Sequence, residues 1–161
     1  MITNYLSPTG FDVSIALLPS TEFFCQSIRI PEIGGTPPGM GSPLRQTYNL
    51  PDQLLYGDFQ LDFIVDENMN NYIEILNWLE AYGSPQSSEQ YVAWQNQNGS
   101  FTADVTVIIQ NSRKNPNMKF TFFDAFPTSL EGLELSLTTE PAPVTCSVGF
   151  RYESFELSQI E

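Results

Sequence analysis

Apolar and polar residues alternate with a period of two over most of this chain. Phe11, Val13, Ile15 and Leu17 alternate with Asp12, Ser14 and Ala16. Phe59, Leu61, Phe63 and Val65 alternate with Asp58, Gln60 and Asp62 inside a run from Tyr56 to Val65. Phe101, Ala103, Val105, Val107 and Ile109 repeat the pattern, as do Phe120 with Phe122, and Cys146 with Val148, Phe150 and Tyr152. Successive side chains of a strand point to opposite faces, so each run predicts a half-buried strand with one face on a core. A further strand is expected over Glu22–Ile30, stopped by Pro31. Pro19-Ser20-Thr21 before it reads as a turn joining the first two strands antiparallel.

The C-terminal run Lys119–Leu157 organises the rest. Pro127 fixes φ and the hydroxyls of Thr128 and Ser129 bond nearby amides, which predicts a corner there. A strand over Leu130–Leu137 is expected next, then a turn at Glu140-Pro141-Ala142-Pro143, then the Cys146 strand. A convincing helical period occurs in one place. Met69, Tyr72, Ile73, Leu76 and Leu79 predict a helix from about Glu67 to Tyr82, capped by Asp66 or Asn68, favoured by Glu67 at its positive end, and ended by Gly83 and Pro85. Its aromatic residues, Tyr72, Trp78 and Tyr82, are expected to pack on the sheet. Residues 83–99 are polar and read as a loop ending in an Asn98-Gly99 hairpin turn. The expected fold is therefore mainly β: a small antiparallel barrel or pair of packed sheets with one flanking α-helix, in a single domain spanning 1–161.

Pro31–Pro51 interrupts this regularity with four glycines and five prolines and no period. A loop that long in a compact domain is usually functional, and an interaction arm is weighed here against a plain surface loop. It carries one base, Arg45, and lacks the Lys-Ser or Lys-Thr ending of a phosphate loop.

Charge narrows the partners. Nineteen acids against six bases give a net charge of −13, which disfavours attachment to a phosphate backbone or an anionic membrane. No run of 18 apolar residues occurs and the N-terminus lacks a signal-peptide pattern, so the expected compartment is the cytoplasm of the producing cell. Half of the bases, Arg113, Lys114 and Lys119, cluster in one turn and the strand after it. Such a cluster suits an acidic neighbour, another copy of the chain, or serves as a solvated gatekeeper turn. Cys25 and Cys146 show no metal-ligand spacing and read as buried free thiols, with a disulfide open to them if their strands are neighbours. The chain has no histidine and no Gly-x-Ser-x-Gly. The carboxylate pairs Asp66/Glu67 and Glu131/Glu134 are what 19 acids produce by chance, so no enzyme, catalytic residue, cofactor or metal is expected.

Phe11-Asp-Val-Ser-Ile15, Phe24-Cys-Gln-Ser-Ile28 with its Pro/Gly-rich sequel, Phe63-Ile-Val-Asp-Glu-Asn-Met-Asn-Asn-Tyr72 leading to Trp78, Asp124-Ala-Phe-Pro-Thr-Ser-Leu-Glu-Gly-Leu-Glu-Leu135, and Val148-Gly-Phe-Arg-Tyr152 with Phe155-Glu156 follow one another in order. In that order they resemble the tail tube proteins of contractile-tailed bacteriophages, a family related in fold to type VI secretion tubes. The resemblance spans nearly the whole chain and rests on the order of several weak motifs. It implies six-membered rings, closed through edge strands and stacked into a tube inside a contractile sheath. Baseplate and tail-terminator proteins would meet its ends, and genomic DNA would pass through the bore without specific binding. The chain would be assembled in the host cytoplasm and end in the virion tail. On this view Asp58, Asp62 and Asp104 are candidate bore-facing acids. Arg45, Arg113, Lys114 and Lys119, with the 31–51 loop, are candidate subunit contacts. The alternatives are a baseplate tube initiator of the same fold and a monomeric β-barrel module that binds a ligand through the 31–51 loop.

Overall fold

The computed structural model describes residues 6, 8–18, 21, 24–41, 46–48, 50–51, 53–83, 85, 87–136 and 142–160. The fold is organised by one long strand, β9 (Pro116–Leu130, 15 residues). Its first part pairs with β8 (Ala103–Gln110) on one side and β11 (Ser154–Gln159) on the other. Its last part pairs with β10 (Thr145–Arg151). β1 (Phe11–Ile15) extends the sheet from β8, while β7 (Phe59–Ile64) and then β2 (Cys25–Arg29) extend it from β10. All pairs are antiparallel, in the order β1-β8-β9-β10-β7-β2 with β11 beside β9. The result is two sheets joined through β9 and not closed into a barrel. The first holds β1, β8, β9 and β11; the second holds the end of β9 with β10, β7 and β2.

The corner between them lies at Asp124, three residues before the proline expected to make it. Asp124 has φ of 51°, the left-handed region that Asp tolerates better than most residues. The kink is held from both sides: Asp124 N–H donates to Asp104 Oδ1 at 3.3 Å, and Thr102 Oγ1 donates to Asp124 Oδ1 at 2.8 Å. Pro127 sits inside β9, paired with Phe150, and Thr128 is left out of register opposite a bulge at Gly149/Phe150. A bulge admits a residue with no N–H to give. A Cβ at Gly149 would lie 2.6 Å from Ser129 Oγ, so a larger residue there requires the exposed Ser129 hydroxyl to rotate away.

The sheets face each other across a dry core. Val13, Ile15, Val105, Val107 and Phe122 come from the first, and Phe59, Leu61, Phe63, Val148 and Phe150 from the second. The Phe59 ring stacks at 4.7 Å on Phe122 and 4.9 Å on Phe150, tying both sheets to one centre. Each such side chain contributes roughly 1.5–3 kcal/mol by leaving water. Helix α1 (Asn70–Gly83) adds Ile75, Trp78 and Ala81. Trp78 Nε1 donates to Phe101 O at 2.8 Å and the Tyr82 hydroxyl to Pro127 O. Buried Asn71 fixes the helix start: its Oδ1 accepts from Asp66 N and Tyr72 N and its Nδ2 donates to Ile64 O at 2.8 Å.

Several expectations are corrected. The first two strands do not pair. The connector between them buries Leu18 and Thr21, and β1 and β2 end at opposite edges of the strand order. The helix starts at Asn70 rather than Glu67, and Asn71 turns it so that Met69 and Ile73, expected inward, are exposed. The Tyr56–Val65 run is broken at Gly57-Asp58 into β6 (Leu55–Tyr56) and β7. Residues 131–136 form no strand, and Leu137 with the Glu140-Pro141 turn lies outside the described residues. Within 83–99 there is a second helix, α2 (Ser88–Asn98), capped by Ser87 and ended by Gly99 at φ of 74°, so that Asn98-Gly99 closes a helix and not a hairpin.

The corner is testable. Asp124→Val places a β-branched residue in the left-handed region and is expected to cost about 1–3 kcal/mol in urea unfolding, while Asp124→Asn stays within about 0.5 kcal/mol. Equal stabilities for the two variants would contradict the strain argument.

Candidate functional site

The Pro/Gly-rich segment is a hairpin extension rather than a structureless loop. β3 (Ile33–Gly34) pairs with β6, and β4 (Gly39–Gly41) with β5 (Gln46–Tyr48). Its regular part therefore runs past Pro51 to Tyr56. The glycines permit close approach of its two limbs, since a Cβ on Gly35 would lie 2.9 Å from Pro51 Cγ. At its root Tyr56 packs edge-on to Phe155 at 5.8 Å. Beyond the root its apolar side chains are uncovered: Ile33, Leu50, Leu54 and Leu55 are all exposed, Leu50 to 87%. Arg45 lies outside the described residues.

Arg113 and Lys114 are exposed on the β8–β9 turn. Asn111 builds that turn, with Oδ1 accepting from Arg113 N at 2.9 Å and Asn115 N at 3.1 Å, and Lys114 takes φ of 60°. Lys119 is half-buried on the first sheet, opposite Ile108 and Ser158. The structure thus keeps the three bases at one end of one hairpin.

The three candidate acids are not brought together. Asp62 lies on the outer face of the second sheet, and Asp58 just ahead of β7 on the same side. Asp58 pairs with Arg151 Nε at 2.8 Å, the one ion pair among the described residues. Asp62 accepts from the hydroxyls of Ser27 and Ser147 on the strands either side. Asp104 is on the first sheet, where it holds the Asp124 amide. The inner faces of the sheets oppose each other, so their outer faces point apart. Sequence reasoning missed Arg151, Ser27 and Ser147, whose roles depend on strand order. It also missed Asp124, although the sequence carried a signal: the apolar alternation of Phe120 and Phe122 fails at Phe123 and resumes out of phase after Asp124.

Among the described residues, β1, β2 and β11 each have a strand on one side only. Near β1 and β2, Phe11, Ile28, Ile30, Val107 and Ile109 line an open cavity of about 280 Å³. This is a two-sheet core with unpaired edges and an uncovered apolar extension. The family model described as phage tail tube protein matches residues 2–158. The chain belongs to the phage tail tube family. No curated protein matches it. Solved structures share the tail tube fold at low identity. A chain of the anti-feeding prophage tube-terminating cap is 14% identical over 99% of this chain and 95% of that one, with a TM-score of 0.70. A chain of the sheath-tube complex of PVC, an extracellular contractile injection system, in the extended state is 16% identical over 97% and 93%, with a TM-score of 0.62. A chain of the six-fold symmetrised anti-feeding prophage baseplate is 15% identical over 98% and 97%, with a TM-score of 0.58.

Tail tube proteins are structural components of the virion tail, and their family is not one of enzymes. Among the described residues no group of His, Cys, Asp and Glu is arranged to hold a metal, and no helix is long and apolar enough to cross a membrane. Both cysteines are free. They stand in register on either side of Phe63, with β7 between them, two strand spacings or about 9–10 Å apart, too far for a disulfide. Burial first, then the charge of Asp62, pushes the Cys25 thiol up to about 11, against a lowering hydrogen bond from the Ser27 backbone. Burial first, then Glu131, does the same for Cys146, also to about 11.

These thiols have a stability consequence with a definite sign. Their folded pKa exceeds the ordinary 9.0, so the stability tied to the neutral thiols is complete below pH 9 and is lost as pH rises toward 11. Urea midpoints measured from pH 8 to 11 are expected to fall more steeply for the native chain than for a Cys25→Ser/Cys146→Ala variant. Parallel curves would contradict buried neutral thiols.

Proposed function

We propose that this tail tube protein forms stacked six-membered rings, the inner tube of a contractile tail and the conduit for DNA ejection. The carrying observation is a tail tube fold left incomplete as a single copy, with unpaired edges at β1, β2 and β11 and a hairpin extension whose Leu50, Leu54 and Leu55 are uncovered. Unpaired edges invite strands from another chain, and repeating a head-to-tail contact around an axis closes a ring. Likeness to chains from a sheath-tube complex, a tube cap and a six-fold baseplate supports a sheath, a terminator and a baseplate as partners and six as the ring number.

The bore wall is assigned to the outer face of the second sheet. There the hydroxyls of Ser27 and Ser147 hold Asp62 in place, and Asp58 neutralises Arg151. Arg29, in register with Gln60, shares this face, so its two bases are balanced by Asp58 and Asp62. Electrostatic affinity for DNA comes from Lys and Arg displacing counterions, and a wall of hydroxyls without net positive charge lets a phosphate backbone pass without sticking. Asp104, on the other sheet, is not part of this wall.

Negative-stain electron microscopy of the purified chain, with light scattering on a sizing column, is expected to show rings or tubes with a central bore. A homogeneous monomer at high concentration would favour the single-copy binding module instead.

A further inference from the structure

The first sheet is electrically polar along its strands. Arg113 and Lys114 are exposed at the β8–β9 turn, and Lys119 follows on β9. At the other end of the same hairpin Asp104, Asp124 and Glu153 are all exposed. Asp124 N donates to Asp104 and Glu153 N donates to Phe123 O at 3.0 Å, which puts the three carboxyl-bearing residues on one short rim. Asp12, in register with Ile108, and Glu156, in register with Thr121, lie around Lys119, so the exposed pair Arg113 and Lys114 defines the basic end, while Arg151, at the acidic end, is paired with Asp58. About 30 Å of strand separates the two ends, from roughly nine residues at ~3.3 Å each. That is several Debye lengths at physiological salt, so the ends do not neutralise each other within one copy.

We propose that the basic turn of one copy docks on the Asp104/Asp124/Glu153 corner of the next. The joint rests on the tube reading above and names the residues on both sides of one of its contacts. The occupant is a second copy because the complementary patches lie at opposite ends of one surface. Such unlike patches join head to tail and leave a free end of each kind for further copies. Asp104 and Asp124 thereby serve twice, their amide and hydroxyl bonds holding the corner while their remaining oxygens face the incoming bases. The joint is separate from the apolar contacts offered by the hairpin extension.

A charge swap tests it on the full chain. Arg113→Glu/Lys114→Glu makes both ends acidic, and Asp104→Lys/Glu153→Lys makes both ends basic. Because Asp104 also supports the corner, Glu153→Lys alone is run beside it, and circular dichroism melts verify folding. Each folded variant alone is expected to assemble with roughly tenfold lower affinity per joint, read by light scattering and negative stain. An equimolar mixture of the acidic and basic variants should recover native assembly, since every acidic end then meets a basic one. Native assembly should also weaken when salt rises from about 0.05 to 0.5 M. Native-like assembly by the single variants, or folded variants that stay apart when mixed, would overturn the joint while leaving the tube reading standing. A native chain that does not associate at all would overturn both.

Discussion

The structure depends on one strand belonging to two sheets. β9 is shared, so the point at which it bends fixes the angle between the sheets, and with it the depth of the core and the directions of the two outer faces. That point is a single residue in a left-handed conformation, Asp124, held by Thr102 and Asp104. The partners of β9 follow the bend: β10 and β11 are consecutive strands that break at residues 152–153 and run along successive parts of it. Phe59 then makes the arrangement coherent, with its ring against Phe122 from the first sheet and Phe150 from the second.

A sheet bent in this way, with this number of strands, does not meet itself. β1 and β2 remain edges, and so does β11. Exposed edges are normally an aggregation hazard, and proteins blunt them with charge. Here a net charge of −13 supplies general repulsion between copies, while in the proposed assembly local features bias how copies meet: an apolar extension, a basic turn and an acidic corner. In the proposed tube, the incompleteness of one copy is what permits the next to be added.

Much of this was legible in the residues, because the period of two is a local property. The strands at Phe11, Phe59, Val105, Phe122 and Val148 follow from it directly. Pairing is not local: β1 lies against β8, with Phe11 opposite Ile109, and nothing in either strand names the other. The second helix escaped a reading by apolar period because none of its residues is buried. Its signal was in the caps, since Ser87 three residues before Gln90 and Gly99 after Asn98 mark a start and a stop. For the candidate site, the alternation put Asp58, Asp62 and Asp104 on polar strand faces; Asp62 and Asp104 lie in β7 and β8 while Asp58 falls in the break before β7, and sequence had no means of assigning them to sheets. The cluster of Arg113, Lys114 and Lys119 was visible as charge, whereas the acidic corner at the far end of the same hairpin emerges only once Asp104, Asp124 and Glu153 are folded together.

The central claim is that other copies complete the open sheet. Amide hydrogen exchange, compared between the assembled and dissociated chain, tests it most directly. Completion predicts that amides at the free edges of β1, β2 and β11 gain strong protection on assembly, while those of β7 and β10, already paired on both sides, change little. Assembled particles in which all three edges still exchange as freely as in the dissociated chain would contradict the account.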